Sequence, residues 1–188
     1  MTKRCILDVD NTLWNLHQPL RKMLRAFYPA VPDTIQTEWD WYGAYGITDE
    51  AFYTAVDAIH KLQIGYPALP GAKELFAALN QYKYEIIVAS HRRNGAAPAL
   101  ARWLGMQGLE PYSGIYTGPD KLPFIRAGDL VIDDAPDTIR YAHDLGCYVT
   151  YLSWAWNEDC PGYGRRSLFE VIGEVHRAVR RANEIRPH

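Results

Sequence analysis

Within residues 3–10, KRCILDVD, an apolar run gives way abruptly to acids, and this change constrains the fold more than any other feature of the sequence. A short apolar run suits a strand buried on both faces, and acids closing it suit a strand that delivers polar groups at its carboxyl end. Similar runs stand at YEIIVAS (84–90), GDLVIDD (128–134) and CYVTYL (147–152), with a shorter one at GIYTG (114–118). Helical patterns lie between them: GAKELFAALNQY after Pro70, AAPALARWLGM after Asn94 and DTIRYAHDLG after Asp134. Strands alternating with helices predict a three-layer, Rossmann-like α/β fold, its mostly parallel sheet covered on both faces through right-handed crossovers.

Residues 17–69 break the alternation. They hold no convincing strand, open on the amphipathic PLRKMLRAFY and carry a second such segment, DEAFYTAVDAIHKL, with TEWDWYGAYGITD between. Bounded by the turn signals HQP and YPALPG, this stretch reads as a small helical cap inserted after the first strand. The expected organisation is therefore a catalytic core from 1–16 and 70–188 with a cap over 17–69. A closing helix is expected over SLFEVIGEVHRAVRRANEI, with Ser167 and Glu170 spaced as a capping box.

A chain of 188 residues, 48% hydrophobic and 22% charged, can bury a real core and fits one domain with a modest insertion. A net charge of −2 and a pI near 6.3 give no field to hold a nucleic-acid polymer. Cys5, Cys147 and Cys160 are odd in number and lack C-x-x-C spacing, as expected of reduced thiols in a cytoplasmic protein. The first residues, MTKRCILDVDNTLW, suit neither a signal peptide nor a membrane span. Nothing in the sequence sets an oligomeric state.

In sheets of this kind ligands bind outside the carboxyl ends of the strands. The polar residues fall there: Asp8 and Asp10 close the first run, Ser90 closes YEIIVAS, and Asp133 and Asp134 close GDLVIDD. Residues i and i+2 of a strand point the same way, so Asp8 and Asp10 can project into one mouth, and strands roughly 5 Å apart can bring Asp133 and Asp134 beside them. Four acids in one mouth repel. Either some are protonated or a cation neutralises them, and an all-oxygen set favours Mg²⁺. The Ser90 hydroxyl, the Lys121 ammonium and the backbone amides after Asp8 complete a site for an anion that a carboxylate attacks. Arg126 competes with Lys121 for that part, but the TGPDK run (117–121) favours the lysine. His91, Arg92 and Arg93 follow Ser90, where they can bind phosphate or remain a solvated basic loop.

DVDNTL (8–13), then Ser90, Lys121 and Asp133 with Asp134, each at its strand end or loop, resemble the four ordered motifs of the haloacid dehalogenase (HAD) superfamily, across residues 3–152. The resemblance implies that Asp8 attacks phosphorus to form an aspartyl-phosphate and that Asp10 serves as acid, then base. It implies Mg²⁺ held by the Asp8 side chain, the Asp10 carbonyl and Asp134, with Ser90 and Lys121 on the phosphoryl group. Asp133 and Thr12 would support these groups from behind, Asp133 by orienting Lys121 or a metal-bound water. An acid at position 10 argues for a phosphatase, since haloacid dehalogenases lack one there.

Within the superfamily the chain resembles the 5'(3')-deoxyribonucleotidases most, through LPGA (69–72), TGPDK, VIDDAPDTI (131–139) and the pair Trp156 and Asn157. It departs from them at Asn11, Thr12, Leu13 and Trp14, where they carry a glycine and a valine, and at the loop from His91. DNTLW and the ASHR run resemble instead the magnesium-dependent phosphatases, which lack so large an insertion. The expected substrate is a small phosphorylated metabolite, a nucleoside monophosphate preferred; the rivals are phosphosugars, glycated amines or phosphoprotein and, in another class, a non-catalytic module that binds a phosphorylated ligand. Trp39, Trp41, Tyr45 and Phe52 can stack on a base or simply build the cap's own core.

Overall fold

The computed structural model describes residues 3–34, 37–93 and 95–184. Six strands form one sheet: β1 Arg4–Leu7, β2 Glu85–His91, β3 Gly114–Gly118, β4 Leu130–Ile132, β5 Tyr148–Leu152 and β6 Tyr163–Arg165. Their order is β3-β2-β1-β4-β5-β6, and every pairing is parallel. The chain winds outward from β1 in both directions, so the crevice where the order reverses lies at the carboxyl ends of β1 and β4.

Apolar side chains alternate between the faces, as the two-residue period of a strand requires. Cys5 and Leu7 of β1, Ile86 and Val88 of β2, and Leu130 and Ile132 of β4 join the larger buried cluster, while Ile6, Ala89 and Val131 join the smaller one on the other face. Against the first lie α3 (Ala72–Gln81), α4 (Ala97–Met106) and α6 (Leu168–Glu184), through residues such as Leu75, Trp103 and Val175. Against the second lies α5 (Pro136–Asp144), through Ile139 and Ala142. The architecture is the expected three-layer, Rossmann-like α/β fold.

Local chemistry fixes the element ends. Gly71 opens α3 at φ +91, a conformation side chains resist, and a Cβ there would stand 3.0 Å from Leu168 Cβ of α6. Pro136 begins α5, where its missing N–H is harmless. Ser167 Oγ accepts from the Glu170 amide at 3.3 Å, but Glu170 returns its carboxylate to the Arg166 amide at 3.0 Å, one residue short of a reciprocal box. The last residue expected in that helix, Ile185, lies outside the described residues.

Between β1 and α3 the chain forms α1 (His17–Phe27), a 3-10 turn at Trp41–Tyr45, α2 (Asp49–Leu62) and a second 3-10 turn at Gln63–Gly65, with no strand among the described residues. Thr48 caps α2, its hydroxyl accepting from the Ala51 amide at 3.2 Å. Leu20, Leu24, Trp41, Ala55 and Ile59 belong to the same buried cluster as the sheet. This helical segment is thus fused to the main core through continuous apolar contact.

β6 has no counterpart in the sequence reading. Its residues Tyr163, Gly164 and Arg165 form no apolar run, yet β5 recruits them: Thr150 Oγ1 donates to the Tyr163 carbonyl at 2.8 Å. Gly162 precedes it at φ +103, where a Cβ would stand 2.9 Å from the Val149 carbonyl oxygen.

Candidate active site

The chain leaves β1 through a tight loop. The amides of Thr12, Leu13 and Trp14 converge on the Val9 carbonyl at 3.3, 2.8 and 3.3 Å. Asn11 adopts φ +56, tolerable for an asparagine, and its side chain accepts from the His17 amide at 2.9 Å. Trp14 is fully buried and donates its indole N–H to Asp10 Oδ1 at 2.8 Å. Trp14, one of the residues at which the motif departs from the 5'(3')-deoxyribonucleotidases, thus has a direct contact to the second acid.

Asp8 lies at the floor, 3% exposed, and accepts from Lys121 Nζ at 2.7 Å. Lys121, itself buried after β3, also stands 2.6 Å from Asp133 Oδ2. Burial opposes its charge, but Asp133 and Asp8 outweigh burial and raise its pKa further. Asp133 is held in turn by the Ala135 amide, which donates to its Oδ1 at 3.0 Å. Arg126 does not line the cavity above these groups; its backbone amide donates to Asp129 Oδ2 at 2.8 Å. Thr12 is fully buried beside this loop and its Oγ1 has no hydrogen-bond partner.

Burial pushes Asp8 up to about 7 against the pull of Lys121, with Asp133 and Asp10 adding to the rise. Asp134 is raised well above the carboxylate range by burial and then by Asp8 and Asp133. Asp8 Oδ2 and Asp134 Oδ2 are buried and without a hydrogen-bond partner. Asp8, Asp133 and Asp134 bring carboxylate oxygens within 4.8 Å of one another. Unpartnered, mutually repelling oxygens are what a hard divalent cation satisfies, so this cluster can hold a metal ion. Because Asp133 already serves Lys121 and the Ala135 amide, Asp8 and Asp134 are the free carboxylate donors. Asn157 fixes the loop that carries Asp134, donating to the Asp134 carbonyl at 3.0 Å and the Leu152 carbonyl at 3.1 Å.

Asp10 is surrounded differently. Besides Trp14 it meets Ser90 Oγ at 2.8 Å, Arg92 through Nη2 at 2.7 Å, and His60 Nε2 at 3.1 Å. Burial would raise its pKa, but Arg92 and His60 outweigh burial and hold it well below the carboxylate range. Arg92 also donates to Ser90 Oγ at 3.0 Å and to Gln63 Oε1 at 2.6 Å. The groups expected to bind phosphate therefore divide. Lys121 lies on Asp8, and Ser90 and Arg92 lie on Asp10. His91 is at the cavity wall, its pKa lowered by burial and by Lys121, whereas Arg93 pairs with Asp57 of α2.

His60 and Gln63 escape a motif reading. A signal for His60 was present: Phe52, Val56 and His60 recur at spacing four along α2, which puts them on one helix face, and all three line the cavity.

That cavity, about 860 Å³, opens above Asp8, Asp10 and Asp134. Trp39, Trp41 and Phe52 line it; Tyr45 does not, and instead packs its ring against Trp41 with centroids 6.0 Å apart. Trp156 stacks on Trp154 at 5.1 Å and meets Trp39 at 6.2 Å and His17 at 5.2 Å. No helix among the described residues is long and apolar enough to cross a membrane.

No protein-family model and no curated protein matches the sequence. Solved structures do. A haloacid dehalogenase-like family hydrolase from Xanthomonas campestris superposes with a TM-score of 0.66 at 11% identity, covering 98% of this chain and 95% of its own. A predicted phosphoglycolate phosphatase from Haemophilus somnus gives 0.61 at 17% identity, covering 92% and 97%. A putative HAD-hydrolase from Bacillus subtilis, solved with magnesium, gives 0.58 at 17% identity, covering 94% and 100%. The chain has the fold of HAD-superfamily hydrolases.

Proposed function

We propose that this chain is a Mg²⁺-dependent phosphomonoester hydrolase that works through an aspartyl-phosphate on Asp8, with a 5'-nucleotide or deoxynucleotide as its preferred substrate and the helical segment 17–69 as a cap over the site. The observation that carries the reading is Asp8 itself. One of its oxygens is fixed by Lys121, and the other is buried without a hydrogen-bond partner at the floor of a large cavity in a HAD fold.

Asp8, Asp134 and the Asp10 carbonyl would hold Mg²⁺, which supplies positive charge to offset that of the phosphoryl oxygens. The Asp8 carboxylate attacks phosphorus, and the bond from phosphorus to the ester oxygen breaks. Lys121 pulls Asp8 toward its ionised form and holds it in place, and it stands where it can also balance the charge of the transferring group. An incoming phosphate competes for the Ser90 hydroxyl and the Arg92 guanidinium, both now on Asp10. Release of those partners raises the proton affinity of Asp10, so that it can protonate the departing oxygen. Once the alcohol has left, Asp10 takes a proton from water, which attacks phosphorus and breaks the bond to Asp8. Free enzyme and inorganic phosphate result.

Mg²⁺-dependent turnover of p-nitrophenyl phosphate, lost in Asp8→Asn, tests the chemistry. No turnover in the wild type would leave a non-catalytic phosphate-binding module as the better reading. The substrate preference is tested with a panel of monophosphates: full activity on sugar phosphates with none on any nucleoside monophosphate would overturn it.

A further inference from the structure

Beyond its floor, the cavity is strongly one-sided in charge. Among the described residues, four carboxylates outside the motif line it, Glu38, Asp40, Asp57 and Asp137, and the only lysine or arginine lining it apart from Lys121 and Arg92 is Arg93; Asp137 pairs at 3.7 Å with Arg140, which is not in the lining. All three cations are already committed: Lys121 to Asp8 and Asp133, Arg92 to Asp10, and Arg93 to Asp57. Glu38 and Asp40 form no hydrogen bond or ion pair with a described residue. They flank Trp39, whose ring leans on Trp156 in the wall.

His17 belongs to the same wall. It is 8% exposed, and neither its Nε2 nor the indole nitrogen of Trp156 has a hydrogen-bond partner. The upper half of the cavity therefore combines ring faces, hydrogen-bonding capacity the fold does not consume, and carboxylates that only accept. A leaving group bearing a second anion would meet like charge there with no free cation to receive it. One that donates N–H groups would meet acceptors, and a positive charge would also gain from the ring faces.

Resting on the phosphatase reading above, we infer that the cavity selects phosphomonoesters whose leaving group carries an amino or ammonium group and no second anionic group, with Glu38 and Asp40 as the acceptors. Two substrate pairs isolate this chemistry. Cytidine and uridine monophosphates differ at ring position 4 by an amino group against a carbonyl, with the ring nitrogen between acceptor and donor accordingly. Phosphoethanolamine and phosphoglycolate differ by an ammonium against a carboxylate on a two-carbon stem.

The test measures kcat/KM for both pairs in the wild type, in Glu38→Gln and in Asp40→Asn, with p-nitrophenyl phosphate as the reference substrate. A charge-assisted hydrogen bond at a solvent-facing rim sets the expected preference at about tenfold for the amino-bearing member. That preference should shrink severalfold in at least one variant while p-nitrophenyl phosphate turnover is unchanged. Equal or reversed preference in both pairs would overturn the inference. So would a preference that neither substitution alters, or failure to hydrolyse any of the four while the aryl phosphate is turned over. Absence of aryl phosphate turnover in the wild type would instead overturn the phosphatase reading, and this inference with it.

Discussion

His60 Nε2 stands 3.1 Å from Asp10 Oδ2, so the last turn of α2 touches the carboxylate that sits two residues past Asp8. The contact joins the helical segment directly to the chemistry. Replacing the imidazole removes one of the two groups that hold Asp10 ionised, and it leaves Arg92 alone to do so. His60→Ala is expected to lower kcat/KM for p-nitrophenyl phosphate about tenfold while leaving the circular dichroism spectrum unchanged, the scale of one lost hydrogen bond to a charged group. Unaltered kinetics would show that the contact is idle.

Asp10 and Asp8 should fail differently. Asp10→Asn keeps a hydrogen-bonding side chain and the backbone carbonyl but cannot move a proton, so turnover should fall by roughly 10²–10⁴. Binding of Mg²⁺, followed by calorimetry, should persist in Asp10→Asn and weaken in Asp8→Asn. Equal loss of metal binding in both would remove the distinction between them.

Asp134 stores repulsion that a cation would relieve. With no divalent ion present, Asp134→Asn should melt higher than the wild type, because folding no longer has to bury this carboxyl beside Asp8, either charged or by taking up a proton. A gain of about 1 kcal/mol would appear as roughly 2–4 °C in a chain of this size. Added Mg²⁺ should raise the melting temperature of the wild type, by about 2.7 kcal/mol in stability at a hundredfold excess over Kd, and should do little for the variant. A lower melting temperature for the metal-free variant would contradict this account.

His17 links stability to pH. Burial, and then the nearby Arg21, push its pKa from 6.5 down to about 4. Below 6.5 the unfolded chain gains a proton there that the folded chain refuses, so the contribution is present above pH 6.5 and is lost as pH falls toward 4. The protein should be about 2 kcal/mol less stable at pH 5 than at pH 7 from this group. Urea titrations at both pH values should show that difference shrinking in His17→Gln. An undiminished difference would place the pH dependence elsewhere.

The sheet was legible because buried parallel strands leave apolar runs, and the acids at their ends announced the floor of the site. Five of the six strands carry that signature; β6 does not, since Gly162 and Gly164 are chosen for close approach to β5 and Tyr163 is exposed. The partners of the motif residues were less legible. That Arg92 would turn back onto Asp10 rather than stand free depends on where Gln63 and His60 arrive from another element. Trp14 looked like a departure from a motif, and only its burial and its 2.8 Å bond to Asp10 give it a role. Sequence order could rank the motif, but not assign each cation to its carboxylate.

The continuous apolar cluster that joins Leu20, Leu24 and Ile59 to Trp14 and the sheet would, on the function proposed above, also govern how an ester gets in. A segment welded on in this way has no slack for a wide hinge swing, because swinging would strip that surface bare to water. Admission would then fall to small movements of rim side chains such as Trp39, which is 41% exposed. Bulky esters would be turned away at the threshold by size, before any group at the floor could test their chemistry.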